Sequence, residues 1–158
     1  MIDVIKPTLL LNKEICLNNL KRINTLAQHN NVNFRPHFKT HQSLEVGRWF
    51  KKFGIKAITV SSVSMAKYFS DEWDDILIAF PLNILELEEI KVLQDKIKLG
   101  VLIDSYESIE LLAEISNNHN ILAIISKPLP KNSKRRKFIN PKLYEYSQKN
   151  NILFLYPN

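Results

Sequence analysis

The feature that most constrains the fold of this chain is an alternation of short apolar runs with segments of helical periodicity. The apolar runs end at turn residues and are short, which is typical of strands buried on both faces of a parallel sheet. They predict strands over residues 8–11, 32–36, 57–60, 76–80, 99–103 and 121–125. Apolar residues at helical spacing predict helices over residues 13–29, 44–53, 63–70, 84–95 and 105–117.

Local signals place the ends of these elements. Asn12 is predicted to cap the first helix and Ser43 the second, and Gly54 is predicted to stop the second helix. Pro36 makes a helix through that point unfavourable. One strand and one helix together take about 20–25 residues, which suits either a doubly wound sheet or part of a (β/α)8 barrel.

The pattern stops near residue 126. Residues 127–158 hold eight Lys or Arg and one acid, a net charge of +7, whereas residues 1–126 hold fourteen against fifteen, a net of −1. We therefore predict an α/β domain over residues 1–125 and a divergent basic tail over residues 126–158, with one further strand at 152–156. The run Lys134–Lys137 is the basis for an alternative, nucleic-acid binding, which the lack of interleaved aromatic residues disfavours.

Composition narrows the class of protein. The chain is 45% hydrophobic and 24% charged, as soluble globular proteins are, and no apolar run is long enough to span a membrane. It has no signal-like N-terminus, and Cys16 is its one cysteine, so we expect no disulfide, no membrane association and a cytoplasmic location.

The segment Arg35–His41, with the sequence Arg-Pro-His-Phe-Lys-Thr-His, lies where a predicted strand gives way to its loop. In α/β barrels the carboxyl ends of the strands line the active site. Lys39 can condense there with an aldehyde if its surroundings favour the neutral amine. Partial burial of Lys39 and the neighbouring cations Arg35, His37 and His41 would act in that direction. The alternative is a solvated lysine in a basic loop.

This motif, followed by Ser43, Glu45 and Val46, resembles the pyridoxal-phosphate lysine motif of the D-threonine aldolase and D-serine dehydratase family. That family belongs to the alanine racemase N-terminal-domain group. Further segments resemble the family in the same order, and together they cover about residues 6–120. They are Pro7–Leu11, Thr59–Ala66, Asp74–Pro81 and Val101–Ser105.

The resemblance implies a fold, a cofactor and a reaction class. The fold would be a partial pyridoxal-phosphate-binding (β/α)8 barrel of about five βα units, in which Lys39 forms the Schiff base with the cofactor. Arg35, His37, Thr40 and His41 would lie against it. The substrate would be a D-amino acid, cleaved to glycine and an aldehyde as by D-threonine aldolase. Alternatives are a D-serine dehydratase-like reaction and a pyridoxal-phosphate-binding protein without catalysis.

The family also uses a divalent metal, and the resemblance places its ligands beyond the region matched here. We therefore expect no metal ligands in this chain, including His37 and His41 in spite of their spacing of four. We expect a truncated barrel in which the residues after about 125 are out of frame or diverged. Such a barrel would be weakly active or inactive alone and would self-associate through its exposed edge.

Overall fold

The computed structural model describes residues 5–8, 10–103, 108–110, 123–125 and 141–155. Within these residues, short helices alternate with short strands, as the periodicity predicts. The first half of the chain contains α1 (Lys13–His29), a 3-10 helix over Phe38–Thr40 that we call the lysine turn, α2 (Leu44–Lys51), β1 (Ala57–Val60) and α3 (Val63–Phe69). It is followed by β2 (Asp75–Pro81), a 3-10 helix (Ile84–Glu86), α4 (Leu87–Lys96), β3 (Lys98–Leu102), β4 (Ala123–Ile125), α5 (Pro141–Lys149) and β5 (Leu153–Leu155).

Side-chain caps begin the first two helices, as predicted. The Asn12 side chain accepts a hydrogen bond from the backbone N–H of Ile15 at 3.0 Å, and the Ser43 hydroxyl accepts one from Val46 at 3.4 Å. Each cap satisfies a backbone donor that the first helical turn leaves without an intrahelical partner. Gly54 follows α2 in the left-handed region, with φ of 77°, where a residue without Cβ carries no steric penalty.

Three strands form a sheet in the order β1-β2-β3. β1 and β2 are parallel, with a register that runs from Ala57 opposite Asp75 to Val60 opposite Ile78. The backbone N–H of Lys98 donates to the carbonyl of Asp74 at 2.8 Å and connects the start of β3 to the start of β2. The predicted α/β class with a parallel sheet is confirmed.

Two predicted strands are wrong. Thr8, Leu10 and Leu11 are not in a strand, and Leu10 is 63% exposed. Residues 32–36 are not in a strand either, although the carbonyl of Pro36 accepts a hydrogen bond from Thr59 at 2.8 Å and His37 forms an isolated parallel bridge with Thr59. Pro36 has no N–H to donate, so the segment meets β1 through single contacts instead of a continuous ladder.

The end of the chain is more regular than its sequence suggested. Most of the predicted helix over 105–117 lies outside the described residues, of which 108–110 are helical. β4 falls within the predicted strand 121–125, β5 falls within 152–156, and the two pair in parallel. The helix α5 was not predicted, although it begins with a proline, a residue favoured in the first helical turn. The predicted boundary at residue 126 stays a prediction.

The chain divides into two compact units, residues 1–80 with 88–100, and residues 81–87 with 101–158. The first unit holds the predicted site, and its largest fully buried side chains are Trp73, Phe38, Phe69, Ile58 and Ile76. No helix in the described ranges is long and apolar enough to cross a membrane. The predicted self-association stays a prediction.

Candidate functional site around Lys39

Lys39 lies toward the carboxyl end of the parallel sheet. The segment that leads to it runs beside β1 in the same direction: Arg35 donates to the carbonyl of Ile58 at 2.9 Å, and His37 bridges Thr59 one residue further along β1. Lys39 follows two residues after His37, beyond this last contact. Ligands of α/β proteins bind at the carboxyl ends of the strands, so Lys39 is placed where chemistry is expected.

The amine of Lys39 is available. The side chain is exposed, and within the described part of the chain its amine makes no hydrogen bond or ion pair. Its backbone is held instead: the carbonyl of Lys39 accepts from the Gln42 side chain at 3.3 Å, and its N–H donates to Nδ1 of His37 at 3.2 Å. The structure thus fixes the backbone of Lys39 and leaves its side chain exposed, so partial burial does not favour the neutral amine here.

Phe38, the residue before Lys39, anchors the lysine turn in the core. Its side chain is 0% exposed. Its ring centroid lies 4.4 Å from that of His41 and 5.1 Å from those of Phe50, Phe69 and Trp73. We call these five side chains the aromatic cluster. These centroid distances fall within the range of favourable aromatic pairing. The rings of Phe50 in α2, Phe69 in α3 and Trp73 after α3 therefore hold the lysine turn in place through Phe38.

A glycine lets α2 approach this cluster. A Cβ at Gly47 would lie 3.1 Å from Cε2 of Phe38 and 3.5 Å from Nε1 of Trp73. The sequence interpretation missed this packing, although Phe38 within the motif and the aromatic residues at 50, 69 and 73 were its visible signals. Their convergence depends on the tertiary fold, which local periodicity does not contain.

The two histidines of the motif make the same local contact. Nδ1 of His37 accepts from the backbone N–H of Lys39, and Nδ1 of His41 accepts from that of Ser43, both at 3.2 Å. Burial lowers the pKa of both side chains, and the charge of Lys39 lowers that of His37 further. Both imidazoles therefore favour the neutral form. Within the described ranges, no group of three or more His, Cys, Asp or Glu side chains could hold a metal ion.

Arg35 is directed into the sheet. Its guanidinium donates to Oδ1 of Asp75 at 2.6 Å, and the other carboxylate oxygen of Asp75 lies 3.1 Å from Nζ of Lys98. Burial raises the pKa of Asp75, but hydrogen bonds from Arg35 and Lys98 lower it more, so the net pKa lies below its usual range. The cation expected to act on Lys39 is thus paired with Asp75, and contact of Arg35 with a cofactor stays a prediction.

The chain is similar in sequence to a known protein, although it matches no family model. A D-serine dehydratase from Dictyostelium discoideum is 32% identical over 114 residues, which are 68% of this chain and 29% of that protein. The chain therefore spans less than a third of the length of this relative.

The chain also resembles solved structures of an aldolase, a dehydratase and an alanine racemase-like protein. A D-threonine aldolase from Filomicrobium marinum matches with a TM-score of 0.63 and 25% identity, over 66% of this chain and 29% of that one. A D-threo-3-hydroxyaspartate dehydratase from a Delftia species matches with a TM-score of 0.62 and 25% identity, over 66% and 28%. An alanine racemase-like protein from Idiomarina loihiensis matches with a TM-score of 0.65 and 19% identity, over 88% and 38%, which bears on the fold alone.

The parallel sheet with Lys39 toward its carboxyl end thus belongs to a partial barrel of the alanine racemase-like type. More narrowly, the chain is a partial match to the family of D-serine dehydratase, D-threonine aldolase and D-threo-3-hydroxyaspartate dehydratase, which confirms the resemblance seen in the sequence.

Proposed function

We propose that this chain carries the lysine-bearing part of a pyridoxal-phosphate-dependent lyase that acts on D-amino acids, with Lys39 as the point of covalent attachment. One observation carries the proposal. Lys39 occupies the motif of a matched family, at the carboxyl end of a parallel sheet, on a turn whose backbone is fixed while its amine is exposed and unpaired within the described residues.

The contacts of the motif divide its predicted cofactor residues into two groups. The side chains of Arg35 and His41 are engaged in the sheet and in the aromatic cluster. Thr40 is exposed beside Lys39, and His37 is half-buried with Nδ1 occupied. Lys39 and Thr40 are therefore the side chains of the motif best suited to hold a cofactor. His37 would add an uncharged neighbour, because its neutral form is favoured.

The residues fit the aldehyde end of pyridoxal phosphate, since a primary amine free of ion pairs is the group that condenses with an aldehyde. When bound, the cofactor supplies an electron sink for the bond cleaved at Cα of an amino acid. The chain contributes the amine and the rigid turn that orients it. The three glycines are far apart and form no Gly-rich phosphate-binding segment, so the proposal for this chain concerns the aldehyde end of the cofactor.

Covalent labelling tests the assignment. The protein is mixed with pyridoxal phosphate and reduced with borohydride, and the modified peptides are identified by mass spectrometry. We expect the modification at Lys39, its loss in Lys39→Ala, and its retention in Lys56→Ala, which removes another exposed lysine. Equal modification of many lysines, or labelling that survives in Lys39→Ala, would overturn the proposal.

We further propose D-3-hydroxy amino acids as the substrates, cleaved as by D-threonine aldolase, with a D-serine dehydratase-like reaction as the second candidate. The relative from Dictyostelium discoideum favours the second candidate and the structure from Filomicrobium marinum the first. Incubation with D-threonine and with D-serine, in the presence of the cofactor and a divalent metal, distinguishes them. Glycine from D-threonine indicates the aldolase, and ammonia from D-serine indicates the dehydratase. We expect little turnover from this chain alone.

Nucleic-acid binding through Lys134–Lys137 remains the alternative from another class, and this run lies outside the described residues. A salt-sensitive shift of nucleic-acid mobility that disappears when Lys134, Arg135, Arg136 and Lys137 are replaced by Ser would support it. An unchanged mobility at low salt would rule it out. We expect no shift.

A further inference from the structure

His41 occupies an unusual environment for a titratable group. Its ring packs against Phe38, lies 5.7 Å from Phe50 in a stacked arrangement and 6.4 Å from Phe69 in an edge-on one, measured between ring centroids. Its Nε2 atom is buried and has no hydrogen-bond partner within the described residues. A buried polar atom without a hydrogen bond is costly.

The other ring nitrogen of His41 does have a hydrogen-bond partner. Nδ1 of His41 accepts the backbone N–H of Ser43 at 3.2 Å. A neutral imidazole has one donor and one acceptor nitrogen, so an accepting Nδ1 places the proton on Nε2. The hydrogen bond spans Gln42, which has a left-handed backbone with φ of 45°. It joins the end of the lysine turn to Ser43, the residue that caps α2.

Protonation would remove this contact. Imidazolium has a donor on both nitrogens, so Nδ1 would then face the Ser43 N–H as a second donor. The rings that contact His41 in the described part of the chain, Phe38, Phe50 and Phe69, carry no charge to balance the new one. The charged residues of these elements have other surroundings: Lys39 and Lys67 are exposed, Arg48 pairs with Glu72 and Glu45, and Lys51 donates to the carbonyl of Glu72.

We propose that His41 is a positioning residue for Lys39: the neutral ring clamps the lysine turn to the start of α2, and protonation of the ring opens the clamp. This role goes beyond the predicted cofactor contact of His41, because it acts through the backbone of Ser43. The consequence for cofactor attachment rests on the proposed function of Lys39, whereas the clamp itself does not.

Nuclear magnetic resonance of the full chain without cofactor tests the clamp. Ring nitrogen spectra between about pH 5 and 8 should show the Nε2–H tautomer of His41 and a midpoint below the usual histidine value. The amide signals of Ser43 and Lys39 should move with the same midpoint. A proton on Nδ1 at neutral pH, or amide signals that do not follow the titration of His41, would overturn the proposal.

Two variants separate the clamp from simple packing. His41→Phe keeps an aromatic ring but cannot accept from Ser43, and its Ser43 amide should exchange with solvent about fivefold faster, the factor that one net hydrogen bond provides. His41→Asn offers an oxygen near the position of Nδ1 and should restore the protection without any titration. His29→Gln, at the exposed end of α1, should change neither the exchange of the Ser43 amide nor the pH dependence of its signal. Equal exchange in His41→Phe and the unmodified chain would contradict the clamp.

Labelling distinguishes this inference from the proposed function. The ratio of Lys39 labelling by pyridoxal phosphate in the unmodified chain to that in His41→Phe should change across the titration of His41. If Lys39 is not labelled at all while the Ser43 amide follows His41, the cofactor assignment fails and the clamp stands. If Lys39 is labelled with a ratio that is independent of pH, the positioning role fails and the cofactor assignment stands.

Discussion

Arg35 and Asp75 form an ion pair with 2.6 Å between Nη2 and Oδ1, and it joins the segment before the lysine turn to the first residue of β2. Both side chains are largely withdrawn from solvent, with 31% and 26% exposed. Because Asp75 also binds Lys98, one carboxylate connects three separate parts of the chain. The pair thereby sets where the lysine turn lies along the sheet.

Asp75→Asn should destabilise the chain by about 1–3 kcal/mol, the cost of leaving a partly buried charged partner without its hydrogen bond. Asp74→Asn is the matched control, because Asp74 is adjacent and exposed and pairs with β3 through its backbone carbonyl. Chemical denaturation of both variants measures the difference. Similar losses in the two variants would show that the ion pair does not stabilise the fold.

The Asp75 carboxylate should make the free energy of unfolding depend on pH in the acid range. Since the pKa of Asp75 is lowered in the folded chain, its contribution is fully present above the unfolded value of about 3.9. It is lost as the pH falls from there through the folded value, because the unfolded chain binds the proton first. The free energy of unfolding should therefore fall less steeply in this range for Asp75→Asn. Parallel curves for the variant and the unmodified chain would contradict this.

Phe38→Ala should cost about 3–5 kcal/mol, because it removes the central ring of the aromatic cluster and leaves a cavity. Phe80→Ala removes the same atoms from a side chain that is 62% exposed and should change stability by about 0.5 kcal/mol or less. Thermal or chemical unfolding compares the two. A small effect at Phe38 would mean that the turn does not depend on the cluster.

Gly47→Ala and Gly100→Ala test whether the neighbour of a new methyl group can move. At Gly47 the neighbour is the ring of Phe38, which is held by four other rings, so overpacking of about 1–3 kcal/mol should exceed the gain of about 1 kcal/mol in helix propensity. At Gly100 the new Cβ would lie 3.0 Å from Cδ1 of Leu77, the end of a flexible side chain. We expect Gly47→Ala to destabilise and Gly100→Ala to have a smaller effect. The reverse order would refute this account.

Lys39→Ala should leave the free energy of unfolding within about 0.5 kcal/mol of the unmodified chain, as expected for an exposed side chain. Denaturation without cofactor measures it. A large loss would show that the lysine stabilises the fold, and the case for a chemical role would weaken accordingly.

Local signals predicted the elements whose causes are local. The Asn12 cap, the helical spacing of α1 and the left-handed Gly54 are contained in short stretches of sequence. The strands at 8–11 and 32–36 were wrong because apolar content indicates burial, while a strand also needs a neighbour to pair with. Apolar periodicity also missed α5, whose sequence is mostly polar.

The motif located Lys39, but not its surroundings. Asp75 lies forty residues after Arg35, and the aromatic cluster is drawn from separate elements, so neither was visible in local patterns. Partial burial of Lys39 was one factor that would have favoured its neutral amine. The structure buries the neighbouring Phe38 instead and leaves the amine exposed.

Phe38 is buried in the core and Lys39 is exposed, so two neighbouring residues of one short motif meet different requirements. Position 38 is constrained by the scaffold, so the residue there can change only together with the rings around it. The exposed side chain at position 39 is not constrained in this way, and many side chains would be tolerated there without loss of the fold. The described part of the fold therefore supplies no reason for a lysine at this position, whereas the covalent role that we propose for its amine would supply one.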